Sequence, residues 1–184
     1  TEKALVSALK TSANLLEIGI DVRIAVNVNV AALTQLPLQE IVDAHRRRQP
    51  GQPANIVFDV TEAEVIGNFD KMLAISRSLG MAGLSIAVDD FGASLLALAR
   101  GEEAYEQIDR TFEAIRQLGD IRFSEMKIDR ALVRNCSESE DRQKVCNYIV
   151  RTTQDFGSTA VAVGIETMQD MLTLKKLGCD IGQG

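Results

Sequence analysis

Five apolar runs in this chain each end in polar or acidic side chains. The run 24–29 ends in Asn27 and Asn29, and 56–62 ends in Asp59, Thr61 and Glu62. The run 84–91 ends in Asp89 and Asp90, 123–129 in Lys127 and Asp129, and 161–166 in Glu166. Carboxylates, an amide and a lysine gathered in one place have the chemistry to hold a divalent cation through hard oxygen ligands and offer it to a phosphate ester.

Gathering them requires strands that finish side by side. Alternation and β-branched content predict strands over 22–30, 54–62, 84–91, 121–129 and 158–165, with a sixth beginning in 178–184. Helical spacing predicts helices over 3–18, 38–48, 69–79, 102–118, 137–156 and 168–177, with Gly19, Gly80 and Gly119 as stops and Ser137 or Ser139 as a cap. The polar endings lie roughly 30 to 40 residues apart, the size of one βα unit. Strands that alternate with helices and end in functional groups describe an α/β barrel, with its site at the C-terminal rim. A full eight-stranded barrel takes about 250 residues. This chain has 184 and six expected strands, about two short of closure, so either the sequence shown is a fragment or something else covers the open edges.

Composition excludes several classes. A hydrophobic content of 46% with 25% charged residues suits one soluble domain with a sizeable core. The net charge of −6 argues against a nucleic-acid polymer as partner, though not against a metal-bridged nucleotide. No apolar run approaches the roughly 20 residues of a membrane span, and no signal peptide is visible, so a cytoplasmic location is expected. Cys136, Cys146 and Cys179 match no metal or redox spacing; reduced thiols follow, with Cys146 a small core residue. His45 is the one histidine, which disfavours histidine catalysis and zinc. With Arg46–Arg48 it reads as a solvated helix end suited to the dipole.

The segments Val26-Asn27-Val28-Asn29, Phe58-Asp59-Val60-Thr61-Glu62, Asp89-Asp90-Phe91-Gly92, Lys127-Ile128-Asp129-Arg130, Gly164-Ile165-Glu166-Thr167 and the terminal 178–184 stretch carry a resemblance. In order and spacing they resemble the EAL domain, a family of bacterial cyclic di-GMP phosphodiesterases and degenerate relatives. The resemblance covers nearly all of residues 1–184. It implies a TIM-like (β/α)8 barrel, here without the N-terminal EAL strand and the C-terminal end, and two Mg²⁺ or Mn²⁺ ions at the rim. It also implies metal-ligand positions at Asn27, Asp59, Asp89 and Asp90. Lys127 and Asp129 then stand beside the attacking water, Glu166 as a supporting acid, and Gln183 against cyclic di-GMP. The implied partners are that dinucleotide, a homodimer mate, and receiver, PAS or GGDEF domains in a parent protein.

Plainer readings stand beside these. Asp89-Asp90 also suits a turn before glycine, Asn27 a strand-end cap, and Lys127 an ordinary strand end. Glu62 and Glu166 also suit helix openings, and for Glu62 that reading leads.

The chain departs from the family pattern in four places. The Glu-Ala-Leu strand, with its metal-ligand Glu and nearby Arg, is not in this sequence. Val163 stands where active members carry a Glu taken as general base or metal ligand. Asp59 replaces a Glu that is one methylene longer. The loop after Asp90 reads Gly92-Ala93-Ser94-Leu95-Leu96 rather than Gly-Thr-Gly-Tyr-Ser, and the segment before Lys127 is enlarged. The leading expectation is a degenerate EAL module that binds cyclic di-GMP or a protein with little hydrolysis. The alternatives are a working phosphodiesterase producing pGpG and a nucleotide-independent interaction domain.

Overall fold

The computed structural model describes residues 2–49, 55–99, 111 and 113–184. Six strands lie in sequence order in one sheet: β1 (Ile24–Asn27), β2 (Ile56–Thr61), β3 (Ser85–Phe91), β4 (Glu125–Ile128), β5 (Thr159–Val163) and β6 (Ile181–Gln183). Every pairing is parallel, so each return to the sheet runs through a helical crossover. The sheet curls into part of a barrel, as expected.

Parity along the strands divides the side chains between two faces. Ile56, Phe58, Val60, Ile86, Val88, Met126, Ile128, Ala160 and Ala162 belong to the apolar core shared with the helices. That core also takes in Leu5 and Leu9 of α1 (Glu2–Glu17), Val42 of α3 (Leu38–Arg48), Met72 and Leu79 of α5 (Phe69–Ala82), and Cys146 and Ile149 of a later helix, Glu140–Asp155. Each fully buried aliphatic or aromatic side chain there contributes on the order of 2 kcal/mol. The opposite parity faces the barrel interior. Register sets Asn27 beside Asp59 and Asp59 beside Ala87, and it sets Ala87 beside Glu125. An ion pair at 2.8 Å joins Arg23, ahead of β1, to Glu125 at the N-terminal end of β4.

β1 and β6 are the sheet's edges. Ile18, Ile20 and Val22 stand exposed ahead of β1, and Met168, Leu172 and Ile181 near β6. Among the described residues, no helix is long and apolar enough to cross a membrane.

Several boundaries differ from expectation, each for a local reason. The strand expected over 22–30 shortens to β1 because Asn29 leaves it to cap α2 (Val30–Gln35), accepting a 2.7 Å hydrogen bond from the Ala32 N–H. Asn27 and Asn29 therefore do not share a strand face. Likewise Thr61 caps α4 (Glu62–Gly67), a short helix that sequence periodicity did not separate. Gly80 does not stop α5; the buried stripe of Met72, Ile75, Leu79 and Ala82 carries the helix past it to Gly83, whose φ of +73° ends it. α6 (Ala93–Ala99) follows β3, and α7 (Arg130–Val133) follows β4. Of the helix expected over 102–118, residues 102–110 and 112 lie outside the described residues; 111 and 113–117 are helical, then Leu118–Asp120 tightens to one 3₁₀ turn. α8 (Glu140–Asp155) is capped by Ser139, one of the two expected serines. α9 (Met168–Lys176) precedes β6. His45 is buried rather than solvated, and its Nε2 has no hydrogen-bond partner; the three arginines after it are exposed. Cys136 and Cys146 are fully buried, and burial pushes their thiols up to about 11 and about 12, so both stay protonated and inert.

Candidate functional site

The C-terminal ends of the strands bring most of the expected residues to one rim. Asp59 sits on the inner face of β2, its side chain 5% exposed. Its Oδ2 accepts from the Lys127 ammonium, which reaches from β4 across the intervening β3. Its Oδ1 is buried and has no partner. Burial raises the Asp59 carboxyl above its ordinary range; Asp89 pushes the same way, while Lys127 opposes both.

Asp89 and Asp90 sit in a β-bulge. The ladder runs from Val88 opposite Met126 to Phe91 opposite Ile128, which puts one extra residue on β3. Asp90 takes up that residue with φ +53°, a left-handed conformation that Asp tolerates better than most side chains. Its N–H donates to Asp89 Oδ1 at 3.1 Å, and its own side chain turns out to solvent. Partial burial of the Asp90 carboxyl, then Asp89 and Asp129 nearby, raise it, with Arg130 opposing.

Glu62 corrects the expectation that it only opens a helix. It does begin α4, yet its carboxylate is buried and turned across to the loop after β3. It accepts from the Gly92 N–H at 3.1 Å and from the Ser94 hydroxyl at 2.7 Å, which ties the start of α6 to β2. Burial raises this carboxyl and the donors of Gly92, Ala93 and Ser94 pull it back. Gly92 is required there: its φ is +93°, and a Cβ would stand 2.3 Å from Ile149 Cδ1.

The remaining residues are less concentrated. Asp129 caps α7 through a 2.6 Å bond from the Ala131 N–H, so one of its oxygens is engaged by backbone. Asn27 is exposed at the end of β1. Val163 ends β5 in register with Gln183 of β6, whose carbonyl accepts from Gly164 and Ile165. Glu166 is exposed and pairs with Arg134 at 2.8 Å.

Sequence reasoning missed Asp170. It is 1% exposed on α9. Its carboxylate accepts from the N–H groups of Asn135 and Ser137 and from the hydroxyls of Ser137 and Thr167, stitching the loop after β4 to the loop after β5. An acid three residues after a capping Thr was the available signal, but it pointed only to a helix start.

The donor types at Asn27, Asp59, Asp89 and Asp90 suit a hard divalent cation. Asp59, however, is already engaged by the protein's own cation. Lys127 holds one oxygen of Asp59, Asp90 faces solvent, and among the described residues no three acidic, cysteine or histidine side chains converge on a point where an ion would sit.

Comparison with known proteins agrees with the fold. The cyclic di-GMP phosphodiesterase RocR of Pseudomonas aeruginosa is 28% identical over 176 residues, covering 96% of this chain but 41% of RocR. The structure of the Pseudomonas aeruginosa MucR phosphodiesterase in complex with c-di-GMP matches with a TM-score of 0.76 at 25% identity, over 98% of this chain and 72% of that one. Klebsiella pneumoniae BlrP1, in a manganese and c-di-GMP complex, matches with a TM-score of 0.72 at 26% identity, over 97% of this chain and 41% of that one. Residues 1–184 match the EAL domain model, and the chain belongs to the EAL domain family.

Proposed function

We propose that this EAL domain is a signalling module that binds cyclic di-GMP or a protein partner at its strand-end rim, with little or no hydrolysis. The observation that carries this reading is Val163. It ends β5 beside Gln183, at the position where the family pattern puts a Glu. An isopropyl group neither takes a proton from water nor holds a cation. Loss of a general base alone lowers a rate by about 10²–10⁴. In this reading Gln183 contacts the dinucleotide, and Lys127 and Asp129 line the space beside its phosphodiester. Glu166, held by Arg134, shapes the rim from the β5 loop. Cyclic di-GMP enters as the ligand because the MucR and BlrP1 structures contain it. Because the chain spans 41% of RocR, receiver, PAS or GGDEF neighbours and a homodimer mate belong to the same proposal.

A second reading, a Mg²⁺- or Mn²⁺-dependent phosphodiesterase producing pGpG, is favoured by one feature. Asp59, Asp89, Lys127 and Asp129 all lie at the ends of consecutive strands. Calorimetric titration of cyclic di-GMP with Ca²⁺ present, followed by chromatography for pGpG in Mg²⁺ and Mn²⁺, separates the two. Micromolar binding without pGpG supports the module. Turnover at the rate of an active relative replaces it with the enzyme. Absence of binding by the folded protein leaves the protein partner alone.

A further inference from the structure

We infer that Lys127 is the resident cation of this rim and keeps a divalent ion off Asp59. Three observations lead there. The Lys127 ammonium contacts Asp59 Oδ2 directly, both side chains being nearly enclosed at 12% and 5% exposure. The contact skips a strand: β2 and β4 flank β3, so their backbones stand about 10 Å apart, twice the usual strand spacing. Opposite Asp59 on β3 stands Ala87, whose methyl leaves that crossing open; a longer side chain there would fill it. The lysine stem thus spans the interior and delivers its charge to the point an ion at Asp59 would need.

An ammonium and a divalent cation on one enclosed carboxylate repel strongly, because little water screens them. The shorter Asp59 adds to the exclusion. Compared with the Glu of the family pattern it retracts the carboxylate by one methylene, toward the floor where Lys127 meets it. The rim's other acids do not compensate, since among the described residues no three of them converge. The site is therefore charge-balanced at Asp59 by the protein itself. This deepens the proposed function, sharing its assignment of the rim as the ligand site, and supplies a reason for weak hydrolysis independent of Val163.

The test uses Mn²⁺ alone, with no nucleotide, so its failure is separate from failure of the nucleotide reading. Mn²⁺ is titrated calorimetrically into the full-length protein, its Asp59→Asn variant and its Lys127→Met variant, with Tm followed alongside. Expected is millimolar or weaker binding by the native protein, unchanged in Asp59→Asn, which still offers Lys127 an acceptor. Lys127→Met should bind at least about tenfold tighter and gain Tm on adding Mn²⁺, because Asp59 is then unpaired. Lys127→Met/Asp59→Asn should lose that gain. Micromolar binding by the native protein that Asp59→Asn weakens overturns the inference. So does a folded Lys127→Met that binds no tighter than the native protein. If Lys127→Met fails to fold, the comparison of the native protein with Asp59→Asn decides alone.

Discussion

Replacing Asp170 by asparagine removes a charge while keeping the side-chain volume. In the native protein burial works against the ionised carboxyl. The donors of Ser137 and Thr167 outweigh it and hold the group down at about 2, against an ordinary 3.8. The folded carboxyl is more acidic than the unfolded one. Its ionisation therefore stabilises the fold above pH 3.8, and this contribution is lost as pH falls through 2. The gap between the two values corresponds to about 2 kcal/mol, of which roughly half is gone at pH 3. Asp170→Asn also turns amide hydrogens toward the Asn135 and Ser137 N–H groups, which adds unpaired donors. We expect the variant to be less stable than the native protein by about 2 kcal/mol or more at pH 7. The deficit should shrink by about 1 kcal/mol at pH 3. Urea unfolding of both proteins at pH 7, 5 and 3 measures it, the difference cancelling other titrating groups. A deficit that stays constant over that range would refute the electrostatic account and leave only the unpaired amide donors.

Gly92→Ala meets Ile149 Cδ1 at 2.3 Å with φ at +93°, so it should lower stability by about 2 kcal/mol or more, read as a fall in Tm. Glu62→Gln should free the start of α6, seen as faster hydrogen exchange at the amides of Gly92 and Ser94, whereas unchanged exchange would show that the tether is idle. Asp59→Ala strands the Lys127 charge in an enclosed site and should cost about 3–5 kcal/mol, while Asp59→Asn costs less because it keeps an acceptor; equal losses in denaturant unfolding would contradict this. Val163→Glu alone should not yield the turnover of an active relative, since the loop after Gly92 is also altered; pGpG at that rate by chromatography sinks the expectation.

The strands, and the polar side chains that end most of them, were legible in the sequence because parallel strands carry near-continuous β-branched runs and the polar residues mark where those runs stop. The misread pieces were short ones. α2, α4 and α7 each span six residues or fewer, too few for a helical period to show, and each is started by a capping side chain that also reads as a site residue or a turn. Asn29 and Asp129 are such cases. Glu62 went the other way: its place at a helix start was plain, but the partners that give its carboxylate a second role are about 30 residues away in sequence.

By itself the sequence determined the alternation of strands and helices, the polar endings at Asp59 and Lys127, and the apolar Val163 near a strand end, since residue type and local period carry all three. Only the tertiary structure decided which charges meet. Lys127 pairs with Asp59 because the curl of the sheet brings β4 over a small Ala87 toward β2. Asp90 turns outward because the bulge in β3 adds a residue. Asp170 is ionised under cover because two loops close on it. These are contacts between segments far apart in the chain, and their energies depend on distance and burial, which no local pattern encodes.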